Sequence, residues 1–285
     1  MIFTKMEATG NDFIVIDAHG EKVNWTEIAK KMCDRHFGIG ADGLLLLLPS
    51  EIADYRMQIF NSDGSEAEMC GNGLRCIVKF AYEHIIGGPE LKDLTIETSS
   101  GIRQAHLSIW SGAVTSVRLG MGIPGLSIEE IPLALQQNSI VINKTTPLSC
   151  KLNVCGRELC LYFVSMGNPH AVCFIKESVD EFPLSLIGPT VEEHPLFPAR
   201  INFEIANVLS PEKIKARVWE RGVGETLSCG TGACAIAAAA QLNQNASNII
   251  SIALPGGILT IDWDGANEIM LTGPAREVFR GEWEE

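Results

Sequence analysis

Short runs of β-branched and apolar residues, separated by turns rich in Gly, Pro and Asp, recur along the first 120 residues of the chain. Runs of this length and composition are typical of β-strands that bury at least one face. They predict strands over residues 13–17, 56–60, 94–98 and 116–119. The pattern therefore favours a strand-rich fold with few helices.

Three stretches favour helices instead. The first begins at Asn24, has a Glu three residues on as a capping-box partner, and is predicted to end near Gly38. The second follows Cys70, carries apolar residues at helical spacing on one face, and is predicted to end near Gly87. The third follows Cys229 and is apolar on every side, which predicts a buried helix.

The string GIGADG at residues 38–43 fits the glycine spacing of a dinucleotide-binding loop. That loop requires a strand before it and a helix after it. Here a predicted helix comes first and the strand-like run LLLLLP follows. We therefore expect an ordinary turn and no bound nucleotide.

The chain also repeats a pattern internally. Residues 61–73 align with residues 220–232 at a constant offset of 159, which superposes Cys70 on Cys229 together with the Gly-x-Gly that follows each of them. Upstream, the Gly-Asn pair ending at Asn11 has a counterpart ending at Asn168. The repeat predicts two halves with a common plan, which we place at residues 1–122 plus 270–285 and at residues 123–269.

Length, composition and charge narrow the class of protein. The chain has 285 residues, of which 46% are hydrophobic, and this is enough for one large or two ordinary domains. A net charge of −13 argues against a nucleic-acid partner, because phosphate backbones are bound by clustered Lys and Arg. The apolar runs fall short of the roughly 20 residues needed to span a membrane. An N-terminus without a signal-peptide pattern indicates a cytoplasmic protein.

The nine cysteines are an odd number in a chain large enough to fold without cross-links, which favours reduced thiols. Their spacings lack the close pairs typical of structural zinc sites, so no metal is expected. A cysteine at a helix start is a special case. The exposed N–H groups and partial positive charge there favour a thiolate, and also an anion bound beside it.

Two such cysteines on opposite faces of one small molecule can invert a stereocentre. One thiolate removes the Cα proton, and the thiol on the other face returns a proton. The resulting carbanion delocalises into the α-carboxylate, where two helix N-termini would stabilise it. This chemistry requires no pyridoxal group, and we expect no cofactor.

Several segments resemble the signature segments of the diaminopimelate epimerase family, in that family's order and over nearly the whole chain. They are KMEATGNDFIVID, RHFGIGADGLLLL, NSDGSEAEMCGNGLRC, SMGNPHAV, ERGVGETLSCGTGAC and LTGPAREVF. The resemblance implies an α+β fold of two pseudo-symmetric domains, each a mostly antiparallel sheet or barrel wrapped around a central helix. It also implies an isomerase that interconverts LL- and meso-2,6-diaminopimelate for lysine and peptidoglycan synthesis. The partner that it implies is this small-molecule substrate, and the assembly that we expect as a candidate is a homodimer.

The resemblance also assigns residues. Cys70 and Cys229 match the family's acid and base, while His170 and Glu220 match residues that tune the thiols. The matched substrate-binding positions are Asn11, Asn61, Gly71, Asn72, Asn168, Asn202, Glu220, Arg221, Gly230 and Thr231. Of these, Arg221 is suited to form two parallel hydrogen bonds with the distal carboxylate of the substrate. One departure is Gly43, since some members have Gln at this position, so that the contact of Gln with the substrate would be absent or supplied differently here.

Three rival hypotheses stay open at this point. A related cofactor-independent racemase, acting on proline or hydroxyproline, would use the same paired cysteines. A Cys-His acyl-transfer enzyme would use one cysteine as nucleophile and His170 as base. An inert binding protein would use neither cysteine for chemistry.

Overall fold

A computed structural model describes residues 1–21, 23–67, 70–88, 92–134, 141–244 and 246–284. The chain forms two compact units, Met1–Gly120 with Thr272–Glu285, and Met121–Leu271. We refer to them as unit 1 and unit 2.

The elements of unit 1 are mostly strands. They are β1 (Ile2–Ala8), β2 (Asn11–Asp17), α1 (Trp25–Cys33), β3 (Gly43–Leu48), β4 (Tyr55–Asn61), β5 (Glu66–Ala67), α2 (Gly71–Ala81), a π-helical turn (Tyr82–Ile86), β6 (Asp93–Thr98), β7 (Gly101–Trp110) and β8 (Ala113–Gly120). Unit 2 contains β9 (Ser149–Val154), β10 (Arg157–Ser165), β11 (Pro169–Phe174), α3 (Leu184–Glu192), β12 (Asn202–Ser210), β13 (Lys213–Glu220), β14 (Gly224–Thr226), α4 (Gly230–Asn243), β15 (Ile249–Leu254) and β16 (Gly257–Asp262). The chain then runs through β17 (Met270–Gly273), which contains the boundary between the units, to β18 (Arg276–Glu282).

In unit 1 the strands wrap around α2. Antiparallel pairs join β1 to β2, β3 to β4, β6 to β7 and β7 to β8, while β2–β3 and β4–β6 are parallel. Strand β18 pairs antiparallel with β1. Helix α2 packs against β1, β2, β3, β4 and β8. Its apolar side chains, Leu74, Ile77 and Val78 among them, are fully buried, as the helical spacing predicts.

Unit 2 repeats this pairing order. Strands β10–β11, β12–β13 and β15–β16 are antiparallel, and β11–β12 and β13–β15 are parallel. Helix α4 packs against β10, β11, β12, β15 and β16, and its residues 232–240 are buried. Small alanine side chains on all faces of α4 let these strands approach it closely. The two-half α+β fold with a central helix in each half is thus confirmed.

The predicted strands lie within β2, β4, β6 and β8, and β3 begins at Gly43 after the turn that GIGADG predicts. The first helix was predicted correctly at its start but not at its end. It ends at Cys33, and the Asn24 side chain makes no capping bond. The chain turns there because the Asp34 carboxylate accepts the N–H groups of His36 and Phe37, at 2.7 and 2.8 Å. Among the described residues, no helix combines the length and apolar character needed to cross a bilayer.

Candidate active site residues

Cys70 occupies the N-cap of α2 with an extended backbone (φ −136°, ψ 116°). Its sulfur accepts the backbone N–H of Gly73 at 3.5 Å. The N–H groups of Gly71 and Asn72 belong to the first helical turn, where the helix itself supplies no carbonyl partner. The local sequence thus places a half-buried thiol among outward-pointing backbone donors.

Asn11 lies beside this thiol. The Cys70 S–H donates to Asn11 Oδ1 at 3.6 Å, and Asn72 Nδ2 donates to the same oxygen at 3.4 Å. The Asn11 amide is held in this orientation because its Nδ2 donates to Asp42 Oδ2 at 2.5 Å. Asn11, Cys70 and Asn72, all predicted from the sequence, therefore form one polar group in unit 1.

Two supporting features of this group were missed by sequence reasoning. Arg75 is fully buried and donates through Nη2 to Thr9 Oγ1 and to Asn72 Oδ1, each at 3.0 Å. The available signal was a single arginine on the otherwise apolar face of α2, three residues after Asn72.

The second feature is an ion-pair network next to Asn11. Asp12 pairs with Lys5 and with Arg35, and Arg35 also binds Asp42 at 2.7 Å. Burial opposes ionisation of Asp12, but the hydrogen bonds from Arg35 and Lys5 outweigh it and lower the pKa of Asp12 to about 2. Asp12 therefore stays charged, and its ion pairs anchor the start of β2.

Asn61 ends β4 at an exposed position, where its Nδ2 donates to Ser65 Oγ at 2.9 Å. Gly43 on β3 is its register partner. A Cβ at Gly43 would lie 2.8 Å from the backbone oxygen of Phe60. A side chain at position 43 would thus require the β4 backbone to move, which gives a steric reason for glycine here.

Cys229 occupies the equivalent N-cap of α4 (φ −120°, ψ 117°), and its sulfur accepts the Gly232 N–H at 3.4 Å. It is more buried than Cys70, with 6% of its surface exposed. Burial and the nearby Glu220 carboxylate raise the pKa of the Cys229 thiol. Hydrogen bonds from Thr231, whose Oγ1 lies 3.4 Å from the sulfur, and from Gly232 oppose that rise.

His170 is fully buried on β11. Its Nδ1 lies 2.6 Å from Glu204 Oε1, and its Nε2 lies 3.0 Å from Asn168 Oδ1. Asn168 in turn donates from Nδ2 to Thr231 Oγ1 at 3.4 Å. Unit 2 therefore joins four predicted residues, Asn168, His170, Thr231 and Cys229, to one residue that sequence reasoning missed, Glu204.

Of the remaining predicted residues of unit 2, Gly230 is the first residue of α4, Asn202 is the first of β12, and Glu220 is the last of β13, followed by Arg221. Asn202 is buried, accepts the Arg221 N–H at 3.0 Å and donates to the Pro169 oxygen at 2.9 Å. Glu220 accepts the Thr226 hydroxyl. The Arg221 side chain is exposed, with one guanidinium nitrogen bonded to the Ala199 oxygen at 3.0 Å.

The fold is that of a class of solved structures that includes racemases and epimerases. The chain matches a phenazine biosynthesis protein of the PhzF family from Bacillus anthracis with a TM-score of 0.67 and 18% identity, covering 100% of this chain and 99% of that one. It matches a probable proline racemase from Agrobacterium radiobacter K84 with a TM-score of 0.66 and 15% identity, covering 99% and 92%. At these identities the matches show the fold alone.

Sequence comparison identifies the family. The sequence profile of diaminopimelate epimerase matches residues 3–124 and 162–278. A diaminopimelate epimerase from Methanococcus maripaludis is 46% identical over 286 residues, covering 99% of each chain, and one from Acetivibrio thermocellus is 47% identical over 284 residues, covering 99% and 98%. The chain belongs to the diaminopimelate epimerase family.

Proposed function

We propose that this protein is a cofactor-independent epimerase that interconverts LL- and meso-2,6-diaminopimelate by moving a proton at one Cα. The observation that carries the proposal is the equivalence of Cys70 and Cys229. Each caps the central helix of its unit, and each sulfur accepts the N–H three residues further on. The family relationship supplies the substrate class.

In the proposed mechanism, the two thiols act on opposite faces of the reacting carbon. One cysteine, as thiolate, takes the proton from Cα, and the electron pair passes into the α-carboxylate. The other cysteine, as thiol, then delivers its own proton to the opposite face. The exchange leaves one thiol and one thiolate with their roles reversed, so no atoms or electrons are lost.

The first-turn N–H groups of both helices are suited to the α-carboxylate. The fixed dipoles of Gly71, Asn72, Gly230 and Thr231 would stabilise the negative charge that develops there. We assign the ammonium and distal carboxylate groups to Asn11, Asn61, Asn168, Asn202, Glu220 and Arg221. The exposed Arg221 guanidinium is suited to bidentate binding of the distal carboxylate.

We assign His170 and Glu220 to tuning of the thiols. Both ring nitrogens of His170 are bonded, one to Glu204 and one to Asn168, so neither is directed at the Cys229 sulfur. This arrangement does not support His170 as the direct base of an acyl-transfer enzyme.

The decisive experiment is incubation of LL-diaminopimelate with the protein in D₂O. We expect deuterium to enter Cα together with formation of the meso isomer. Cys70→Ser and Cys229→Ser should each lower the rate by several orders of magnitude, whereas Cys155→Ser, an exposed thiol outside the proposed site, should not. Turnover of proline or hydroxyproline without any of diaminopimelate would overturn the proposal in favour of a related racemase.

We also propose that residues 1–122 plus 270–285 and residues 123–269 form the two functional halves.

All nine cysteines are free thiols, which supports a cytoplasmic location. A homodimer is the assembly we would test first, by sedimentation, because Ile2 on β1 and Val278 on its partner strand β18 are apolar and exposed.

A further inference from the structure

Glu204 is a carboxylate buried in the core of unit 2. It lies on β12, two residues after Asn202, and has no exposed surface. One oxygen, Oε1, bonds to His170, and the other, Oε2, is a buried atom without a hydrogen-bond partner in the described part of the chain. A carboxylate in this setting is costly to bury as a bare anion, which calls for an explanation.

Glu204 also borders Cys229. A Cβ placed on Gly232 would lie 3.0 Å from Glu204 Oε1 and 3.4 Å from the Cys229 sulfur. Glycine at position 232 therefore lets the carboxylate and the thiol approach the same point of α4. The titratable groups that act on the thiol or on its neighbours are Glu204 (β12), His170 (β11) and Glu220 (β13).

The directions of the hydrogen bonds fix where the protons lie. Asn168 Nδ2 faces Thr231, so Asn168 Oδ1 faces His170 and accepts a hydrogen bond from the Nε2–H group. With Nε2 protonated, one further proton is shared between His170 Nδ1 and Glu204 Oε1. The pair has zero net charge whichever atom holds that proton. Burial raises the pKa of Glu204, in keeping with a carboxyl that shares a proton.

The last hydrogen bond of the series joins Thr231 to Cys229. Thr231 Oγ1 accepts from Asn168, and because a Cys229 thiolate has no proton of its own, the Thr231 hydroxyl is the donor in the 3.4 Å contact with that thiolate. We call Glu204, His170, Asn168, Thr231 and Cys229 the Cys229 hydrogen-bond chain. Together with the Gly232 N–H, it gives the sulfur two donors, and both favour the thiolate.

We propose that Glu204 is a positioning residue that fixes the His170 tautomer, and thereby keeps the Thr231 hydroxyl donating to the Cys229 thiolate. The inference extends the proposed function, since it explains how a deeply buried cysteine can serve as a base. Without Glu204 the shared proton is lost, and a neutral His170 holds a single proton that either ring nitrogen can carry. Consider the tautomer with that proton on Nδ1. Nε2 would then accept, the Asn168 amide would turn over, and the Thr231 hydroxyl would donate to that amide and not to the sulfur.

The test is the rate of Cys229 alkylation by iodoacetamide in the free enzyme, followed against pH by peptide mass mapping. Glu204→Met should raise the pKa of Cys229 by about one unit, the size expected for one lost hydrogen bond to a charged group. Glu204→Gln should leave it near the wild-type value, because the amide can donate to Nδ1 of a neutral His170. Glu192→Gln is the matched control, since this buried carboxylate binds Trp219, Gly222 and Arg200, which lie outside the chain of bonds.

The outcomes separate this role from others. If Glu204 acted as a bare anion, both Glu204→Met and Glu204→Gln would lower the pKa of Cys229. If Glu204 only filled space, neither variant would change it. Either result would overturn the proposal, as would equal upward shifts in both variants.

A second measurement needs no variant at position 204. In protein labelled with ¹⁵N-histidine, the NMR signals of His170 should show Nε2 protonated, and an unprotonated Nε2 would overturn the proposal even if Glu204→Met failed to fold. Alkylation and NMR are measured on the free enzyme and test the role of Glu204. The D₂O experiment tests the epimerase activity, so the two proposals can fail independently.

Discussion

At the scale of single residues, the two cysteines are locally equivalent but chemically different. Cys70 is half-buried, and its thiol donates to the side-chain amide oxygen of Asn11. Cys229 is buried and its neighbour Thr231 carries a hydroxyl that can donate. Both sulfurs accept a backbone N–H of their helix, but the neighbouring side chain is an acceptor at Cys70 and a hydroxyl at Cys229, which suits one thiol and one thiolate.

The ion pair between Asp12 and Arg35 predicts a pH effect on unit 1. The pKa of Asp12 is about 2 in the folded protein against an ordinary value of 3.8, so its stabilising contribution is full above about pH 4 and is lost as the pH falls towards 2. Arg35→Gln should raise the pKa of Asp12 and move acid unfolding to higher pH. Carboxyl NMR measures the first effect, and circular dichroism against pH measures the second.

Lys151→Gln provides the control for this prediction. Lys151 pairs with Glu158 on the surface, with 70% and 63% of the two side chains exposed, and such pairs contribute little to stability. This variant should leave acid unfolding unchanged. An unaltered Asp12 pKa in Arg35→Gln would contradict the assignment of Arg35 as its main stabilising partner.

At the scale of elements, glycines set how closely helices pack on strands. Gly188 on α3 faces the Trp219 ring, and a Cβ at this position would lie 2.5 to 2.8 Å from three ring atoms. The ring cannot easily move, because its Nε1 donates to Glu192 Oε2 at 2.7 Å. Glycine therefore allows α3 to rest directly on β13, next to the end of the strand that carries Glu220.

Gly188→Ala should consequently destabilise the protein by about 1–3 kcal/mol through overpacking, although alanine is the better helix former by up to about 1 kcal/mol. Urea unfolding measures the change. Gly230→Ala is the control for stability, since its Cβ would meet only ordinary contacts at 3.5 and 3.8 Å. When Gly188→Ala is added to the Trp219→Leu variant, it should lower the free energy of unfolding much less than it does in the wild-type protein. An equal loss in the wild-type and Trp219→Leu proteins would contradict the steric explanation.

At the scale of the whole molecule, the two units share one order of parallel and antiparallel pairs and one position for the central helix. The proposed function requires that both units act on one substrate. A ligand that engages both cysteines should protect both from modification at once.

We therefore expect meso-diaminopimelate to slow alkylation of Cys70 and Cys229 in parallel, with the same half-saturating concentration. Cys155 is exposed and serves as an internal control whose alkylation should not change. Protection of one cysteine alone would contradict a shared substrate.

Much of this protein is determined by local sequence. Strands β2, β3, β4, β6 and β8 of unit 1, the buried helix α4, the turn before β3 and the repeat that equates Cys70 with Cys229 follow from patterns of a few residues. Pleat, helical period and capping are local properties. The end of α1 was the exception, since the Asp34 carboxylate ended the helix before its sequence pattern did.

The groups that support the cysteines were decided by tertiary structure. Glu204 meets His170 across 34 residues, and Arg75 meets Thr9 across 66 residues. Which side chains meet at such separations depends on strand register and helix docking, and nothing in the local sequence reports either. The sequence by itself therefore determined which residues carry the proposed chemistry, and only the packing of β11, β12 and α4 decided which side chains surround Cys229.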